Sequence, residues 1–229
     1  MRLTLRHVYD FAEDRALVGD DLVRPEAWDA LRTRTSGPFG LPADREAWTA
    51  AAEADGAIVG RADAIDRWLR AAGAESVASY GVGSGALELL LHRRAPGRRL
   101  IATDFGPATV ARLATLFPEA EVRTHDLLRE PPLDADVHLL SRVDTELTDD
   151  GFRSLLRAFA DERMLVVATA VISPMDAALQ LLQRVRHRRL TRAGWARNRA
   201  AFEALWRPTH DATATMIHDL AAWDLRPRR

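Results

Sequence analysis

Three groups of residues in this chain have the types and spacing to do chemistry. The first is Gly81-Val82-Gly83-Ser84-Gly85, set between the apolar run Val77-Ala78-Ser79-Tyr80 and the apolar stretch Ala86-Leu87-Glu88-Leu89-Leu90-Leu91. Glycines let the backbone turn sharply and approach a ligand with no Cβ in the way. The free N–H groups of a helix's first turn then face that ligand. Such a turn suits a nucleotide-like molecule. The second group is the acids that follow: Asp104, 19 residues after Gly85, and Asp126 in His125-Asp126-Leu127. A carboxylate in the first place can accept both hydroxyls of a ribose. In the second, it suits the exocyclic amine of an adenine, a donor that needs an acceptor. The third group is Ser141-Arg142-Val143-Asp144-Thr145-Glu146, where Arg142, Asp144 and Glu146 are the candidate reacting groups. A base is needed there only if a nucleophile must lose a proton.

Each position also has a plainer reading. Asp104 could cap the helix that Pro107 opens. Asp126 could close a turn, and Phe105 could be ordinary core. Asp144 and Glu146 could be acids near the start of the next helix, favoured there by its dipole. His138 reads as a strand residue turned into the sheet's packing.

The elements that must position these residues alternate. Ser76 to Tyr80 reads as a strand and Gly85 to His92 as a helix. Arg99 to Thr103 is a second strand, ending at Asp104, and Pro107 to Leu116 a helix. A third strand lies near Ala120 to Arg123 and a fourth at Val137 to Leu140. Asp149 to Ala160 is a helix with Phe152, Leu155, Leu156 and Phe159 on one face. The apolar run Arg163 to Ile172 predicts a central strand buried on both faces. Asp176 to about Trp206 predicts a long helical insertion, broken near Gly194. Ala212 to Ile217 and Ala221 to Leu225 predict two short closing strands. Upstream, Asp44 caps a helix running to Glu53, and Arg61 to Ala72 is a helix stopped by Gly73. Scattered aromatics (Tyr9, Phe11, Trp28, Phe39, Trp48) and the loop Ser36 to Pro42 mark residues 1–60 as an extension, with 61–229 as the core. The pattern predicts an α/β fold: an open, mostly parallel seven-stranded sheet with helices on both faces and a helical N-terminal extension. Ligands of such sheets sit at the carboxyl ends of the strands.

Composition narrows the chemistry. The chain has 229 residues and a formal charge of -1, which gives no general reason to bind nucleic acid or anionic membrane. With no cysteine, thiolate nucleophiles, disulfides and thiolate metal sites are excluded, and no metal constellation is recognisable. All 32 basic residues are arginine, so no lysine can form a Schiff base or hold a phosphate. No apolar run is long enough to span a bilayer, and the expected location is cytoplasmic.

Gly81 to Ala86 fits the dinucleotide pattern G-x-G-x-x-A as well as G-x-G-x-G. With the ordered set Ala102-Thr103-Asp104-Phe105-Gly106-Pro107, His125-Asp126-Leu127 and Asp136-Val137-His138-Leu139-Leu140-Ser141, the stretch Ser76 to Ile172 resembles class I S-adenosylmethionine-dependent methyltransferases. The last two strands are similar to that family's closing hairpin. The resemblance implies S-adenosylmethionine as cofactor, S-adenosylhomocysteine as product, and roles for individual residues. Ser79, Tyr80 and the Gly81, Gly83 and Gly85 backbone would pass beside the methionine moiety. Asp104 would hold the ribose, Phe105 would lie against the adenine, and Asp126 and the Leu127 amide would bind its edge. Ser141 would lie near the methionine amine and the methyl group. One position departs: the family usually carries an acid two residues before the first glycine, and here stands Ser79. A serine accepts a hydrogen bond but brings no charge, so the cofactor's amino group is held more weakly or from elsewhere.

The implied reaction is methyl transfer to an O or N atom of a small metabolite, beneath a lid made of residues 1–60 and the insertion. No Asn/Asp-Pro-Pro-Tyr turn is present, which disfavours a nucleobase amine. Four other readings stay open: an RNA methyltransferase using the arginine-rich stretch 184–199, a non-catalytic scaffold, a nicotinamide-dinucleotide-binding protein, and, for assembly, a homodimer.

Overall fold

The computed structural model describes residues 1–8, 25–32, 34, 40–186 and 192–228. Tyr9, Phe11, residues 36–39 of the predicted loop and residues 187–191 of the arginine stretch lie outside them. The strand–helix alternation is present: β2 (Ser76–Tyr80), α4 (Ala86–Arg94), β3 (Arg99–Asp104), α5 (Pro107–Leu116), β4 (Glu121–Thr124), β5 (Val137–Ser141), α6 (Asp149–Ala158) and β6 (Met164–Val167). With the closing hairpin β8 (His210–Ile217) and β9 (Leu220–Pro227) they form a seven-stranded sheet in the order β4-β3-β2-β5-β6-β9-β8. β9 enters antiparallel between β6 and β8, while β2 to β6 run parallel. The strand order reverses at β2, with β3 on one side and β5 on the other, and ligands of open α/β sheets bind in that crevice.

The sheet is buried on both faces because successive side chains alternate. Val77, Leu139, Leu165 and Val167 join one core, with Ile65, Leu69, Leu89 and Leu113 from the helices. Ala78, Tyr80, Leu140 and Val166 join a second core, with Phe152, Leu155 and Phe202. His138 belongs inside the second layer, fully buried between the Tyr80 hydroxyl at 3.0 Å and Glu162 at 3.2 Å.

Upstream of the sheet lie β1 (Thr4–Val8), α1 (Pro25–Arg32), α2 (Arg45–Ala54) and α3 (Gly56–Ala72). Asp44 caps α2 by accepting from the Ala47 N–H at 2.8 Å, and Gly73 ends α3 in the left-handed conformation. The predicted start of α3 at Arg61 is too late. Asp55 accepts from the Ala57 and Ile58 amides, so the helix begins at Gly56 and runs through the 60/61 boundary. Gly60 sits in it because the ring of His218, in the β8–β9 turn, packs where a Cβ would stand.

Three other expectations change. The apolar run Arg163 to Ile172 is a strand only over Met164–Val167, because the chain then leaves the sheet. Val171 instead bridges Arg197, and the Ile172 amide donates to the Arg197 carbonyl at 3.0 Å. The insertion at 176–206 is not one helix but α7 (Pro174–Arg186), β7 (Arg192–Arg197) and α8 (Arg199–Trp206). The extension is not wholly helical either, since β1 pairs antiparallel with β7. That pairing spans almost the whole chain, so no local periodicity could announce it. Asn198 closes the arrangement: its side chain caps α8 through the Ala201 amide and accepts from the Leu3 amide, at 2.9 and 3.0 Å.

Candidate active site

β2 ends at Tyr80 and the glycine turn begins at once. Gly81 and Gly83 have φ of 65° and 57°, a left-handed backbone that side chains disfavour. A Cβ at Gly81 would stand 2.5 Å from Val143, and one at Gly83 would stand 2.5 Å from the Arg32 guanidinium. The turn is pinned from three sides. The Val82 amide donates to the Thr103 carbonyl at 3.0 Å, and the Trp48 indole of α2 donates to the Ser84 carbonyl at 2.8 Å. Asp104 accepts from the Gly83 amide at 2.9 Å and from the Gly106 amide at 3.1 Å. Its carboxylate therefore splints the turn to the end of β3. Burial holds the Asp104 carboxyl above its ordinary range, opposed by those two amides and by Arg32.

The turn forms one wall of a cavity of about 460 Å³. Further lining comes from the end of β5 and the segment after it: Ser141, Arg142, Val143, Thr145 and Glu146. Arg142 has φ of 65°, strained for a residue with a side chain, while its amide donates to the Val167 carbonyl at 2.8 Å. Glu146 opens onto the cavity amid other acids. Burial pushes its carboxyl up to about 8, with Asp104 adding to the rise and Arg32 opposing it. Arg61 of α3 and Trp28 and Arg32 of α1 also line the cavity. α1 is held down by Asp29, which accepts from the Ala108 and Thr109 amides and the Thr109 hydroxyl at the start of α5. It thus covers the strand-end side on which Asp104 lies.

The structure brings Ser79, Tyr80, Gly81, Gly83, Ser141, Arg142 and Glu146 together on this cavity. The Tyr80 ring itself turns into the second core, against His125, His138 and Phe159. Gly85 lies behind the wall, with Leu113 of α5 where its Cβ would be. Asp144 does not line the cavity. It is buried, one carboxylate oxygen accepts from both the Thr169 amide and hydroxyl at 2.8 Å, and it ties the segment after β5 to the end of β6. Asp104, Phe105, Asp126 and Leu127 do not border the cavity as it stands either. Asp126 closes a turn, accepting from the Leu128 amide at 3.0 Å, and Leu127 packs against the second core.

The cavity residues that sequence reasoning missed include Trp28, Arg32, Arg61 and Glu88. Glu88 alone left a signal, a single acid inside Ala86-Leu87-Glu88-Leu89-Leu90-Leu91, one turn after the glycines. Its Oε1 accepts from the Ser79 hydroxyl at 2.6 Å, while Oε2 is buried with no partner. Burial pushes this carboxyl up to about 7, against the Ser79 hydrogen bond. Among the described residues no group of three or more His, Asp or Glu is placed to hold a metal ion, and no helix is long and apolar enough to cross a membrane.

The antiparallel β9 between β6 and β8 separates this sheet from the all-parallel dinucleotide arrangement. Solved structures make the same separation. Human N-acetylserotonin methyltransferase in complex with S-adenosylmethionine superposes with a TM-score of 0.58 at 18% identity, over 74% of this chain and 52% of that one. The mitomycin 7-O-methyltransferase MmcR gives 0.60 at 19%, over 96% and 76%, and TnmH gives 0.62 at 18%, over 91% and 60%. The chain has the class I methyltransferase fold. It spans about half the length of N-acetylserotonin methyltransferase, at 52% of that chain. No family model matches it, and no curated protein is similar to it in sequence. Within this methyltransferase fold the cavity lies at the crevice where the strand order reverses, with the glycine turn as one wall.

Proposed function

We propose that the protein transfers the methyl group of S-adenosylmethionine to an oxygen or nitrogen atom of a small-molecule metabolite. The observation that carries this reading is the glycine turn, splinted by Asp104 and forming the wall of a cavity faced by Arg142 and Glu146. The residues present fit the cofactor: the backbone of Gly81 and Gly83 borders the cavity, and a buried carboxylate oxygen of Glu88 on the same cavity has no partner. When bound, S-adenosylmethionine supplies a methyl group already activated on a sulfonium. The chain's part is then to orient an in-line attack and exclude water. Ser79 and the backbone of the glycine turn would hold the methionine end. Asp104, Phe105, Asp126 and Leu127 would hold the nucleoside, with α1 as the lid over Asp104. Arg142 would orient the acceptor, and Glu146 would take its proton where the attacking atom carries one. A carboxyl near 8 is a stronger base than an exposed one, so it suits a weakly acidic hydroxyl.

A small acceptor is favoured by the cavity's volume of about 460 Å³ and by the names of the neighbours, one of which is a mitomycin 7-O-methyltransferase. The RNA alternative loses one of its arginines. Arg197 is fully buried, donates to the Asp144 and Leu147 carbonyls and pairs with Asp149 at 2.8 Å. Titration calorimetry with S-adenosylhomocysteine tests the proposal. Binding is expected, and no heat at millimolar ligand would leave the fold without this activity.

A further inference from the structure

We propose that Glu88, held by Ser79, is the receptor for the ammonium group at the amino-acid end of the cofactor, with Arg61 facing the carboxylate of the same end. The inference rests on the cofactor reading above and names the part of the site that reading left without a charge. The strand end offers Ser79 where an acid was expected, and the structure shows what that serine does. Its hydroxyl is spent on Glu88, at 2.6 Å, and so aims the glutamate. Glu88 itself comes from the first turn of α4, immediately past the glycines, and is 2% exposed.

A buried carboxylate normally has a cation or several donors. Glu88 has one neutral hydroxyl, no ion pair among the described residues, and an orphaned Oε2 on a residue that lines the cavity. Asp144 also has a buried oxygen, Oδ2, without a partner, but its Oδ1 takes two donors from Thr169 and it lies outside the cavity lining, whereas Glu88 lines the cavity. This one is complete only when a donor arrives from the cavity, and an ammonium group supplies several. Arg61, one layer away on α3, is 8% exposed and lines the same cavity. Its Nε donates to the Ala57 carbonyl at 3.3 Å, and its Nη groups make no hydrogen bond among the described residues. Acid and guanidinium therefore present opposite charges to one space, the pattern that an α-amino acid group complements. The charge absent from the end of β2 is supplied from α4 instead.

The test compares S-adenosylhomocysteine with 5′-methylthioadenosine, which keeps the nucleoside and sulfur but lacks the amino-acid end. In calorimetry the unmodified protein should bind S-adenosylhomocysteine at least about tenfold more tightly, as expected of a hydrogen bond to a charged group. Glu88→Gln should weaken S-adenosylhomocysteine by about ten- to a hundredfold and leave 5′-methylthioadenosine within about twofold. Adding Ser79→Asp to that variant should recover part of the loss, by returning an acid to the strand end. A readout on the unmodified protein needs no substitution. Its preference for S-adenosylhomocysteine should narrow between about pH 8 and pH 6, as Glu88 takes up a proton. The groups facing Glu88 are Ser79 on β2, Arg61 on α3 and Asp104 on β3, and Asp55, Arg142 and Glu146 line the same cavity. Of these, Arg61 does not titrate in that range, and Asp104 is held by the Gly83 and Gly106 amides on the nucleoside side. Because Glu146 is raised to about 8, the narrowing should persist in Glu146→Gln and be absent from Glu88→Gln. Glu88→Gln binding S-adenosylhomocysteine at full strength, or losing both ligands alike, would overturn the assignment. Binding of 5′-methylthioadenosine with no preference for the longer ligand would overturn it while leaving the cofactor reading standing. If the unmodified protein binds neither, both fall.

Discussion

Two carboxylates separated by less than a turn of chain, Asp144 and Glu146, have opposite fates because of what surrounds them. Asp144 finds the Thr169 amide and hydroxyl and becomes a tie between loops. Glu146 finds Asp104 and Arg32 and stays open to the cavity. Replacing Glu146 by Gln should lower kcat by about 10²–10⁴-fold for a hydroxyl acceptor, and leave S-adenosylhomocysteine affinity within about twofold. Single-turnover kinetics beside calorimetry separates the two effects, and a large fall in affinity would move Glu146 from base to structural support. Asp104 should behave in the reverse way. Asp104→Ala removes the acceptor for the Gly83 and Gly106 amides, so cofactor affinity should fall by at least about tenfold. An unchanged affinity in calorimetry would deny Asp104 any part in binding.

At the scale of elements, the least expected feature is the small sheet of β1 and β7, locked to the core by Arg197. Its guanidinium satisfies the Asp144 and Leu147 carbonyls, pairs with Asp149 and lies 5.6 Å from the Phe152 ring centroid. The same contacts hold the segment after β5, which carries Arg142 and Glu146. Arg197→Met keeps much of the apolar stem but orphans the two carbonyls and the acid. It should lower stability by about 3 kcal/mol, read as a fall in the urea midpoint. A change below about 0.5 kcal/mol would place the arginine among ordinary surface substitutions. The helices around the glycine turn were legible because their signals are local: Asp44 as cap, Gly73 as stop and Pro107 at the first position of α5. β7 was illegible because Arg192 to Arg197 carries no strand alternation, and its partner lies at the other end of the chain.

Considered as a whole molecule, the protein gathers buried acids at one crevice, and its pH dependence should show it. Glu88 and Glu146 titrate near 7 and 8 in the fold, against an ordinary value of 4.5. A carboxyl raised in the native state binds its proton more tightly there than in the unfolded chain. The stability it contributes is present below about 4.5 and is lost as pH rises through 7 to 8. Acids held low, such as Asp136 and Asp224, act only at the acid end, where stability is lost as pH falls. Ligand-free protein should therefore be less stable at about pH 8.5 than at about pH 6, and Glu88→Gln should remove on the order of 1 kcal/mol of that difference. Urea unfolding at the two values measures it. Equal midpoints would mean that water reaches these acids.

The sequence by itself determined the parallel sheet, the place of the glycine turn and the acids after β3 and β5, because each depends on short-range periodicity, chain reversal or a cap. Only the tertiary structure decided which acids meet. It turned Asp144 into a tie, set Asp126 to close a turn, and brought Glu88 from a helix to the serine that lacked a charge. Burial and partnership are properties of what the folded chain packs against each side chain, and spacing along the chain does not contain them.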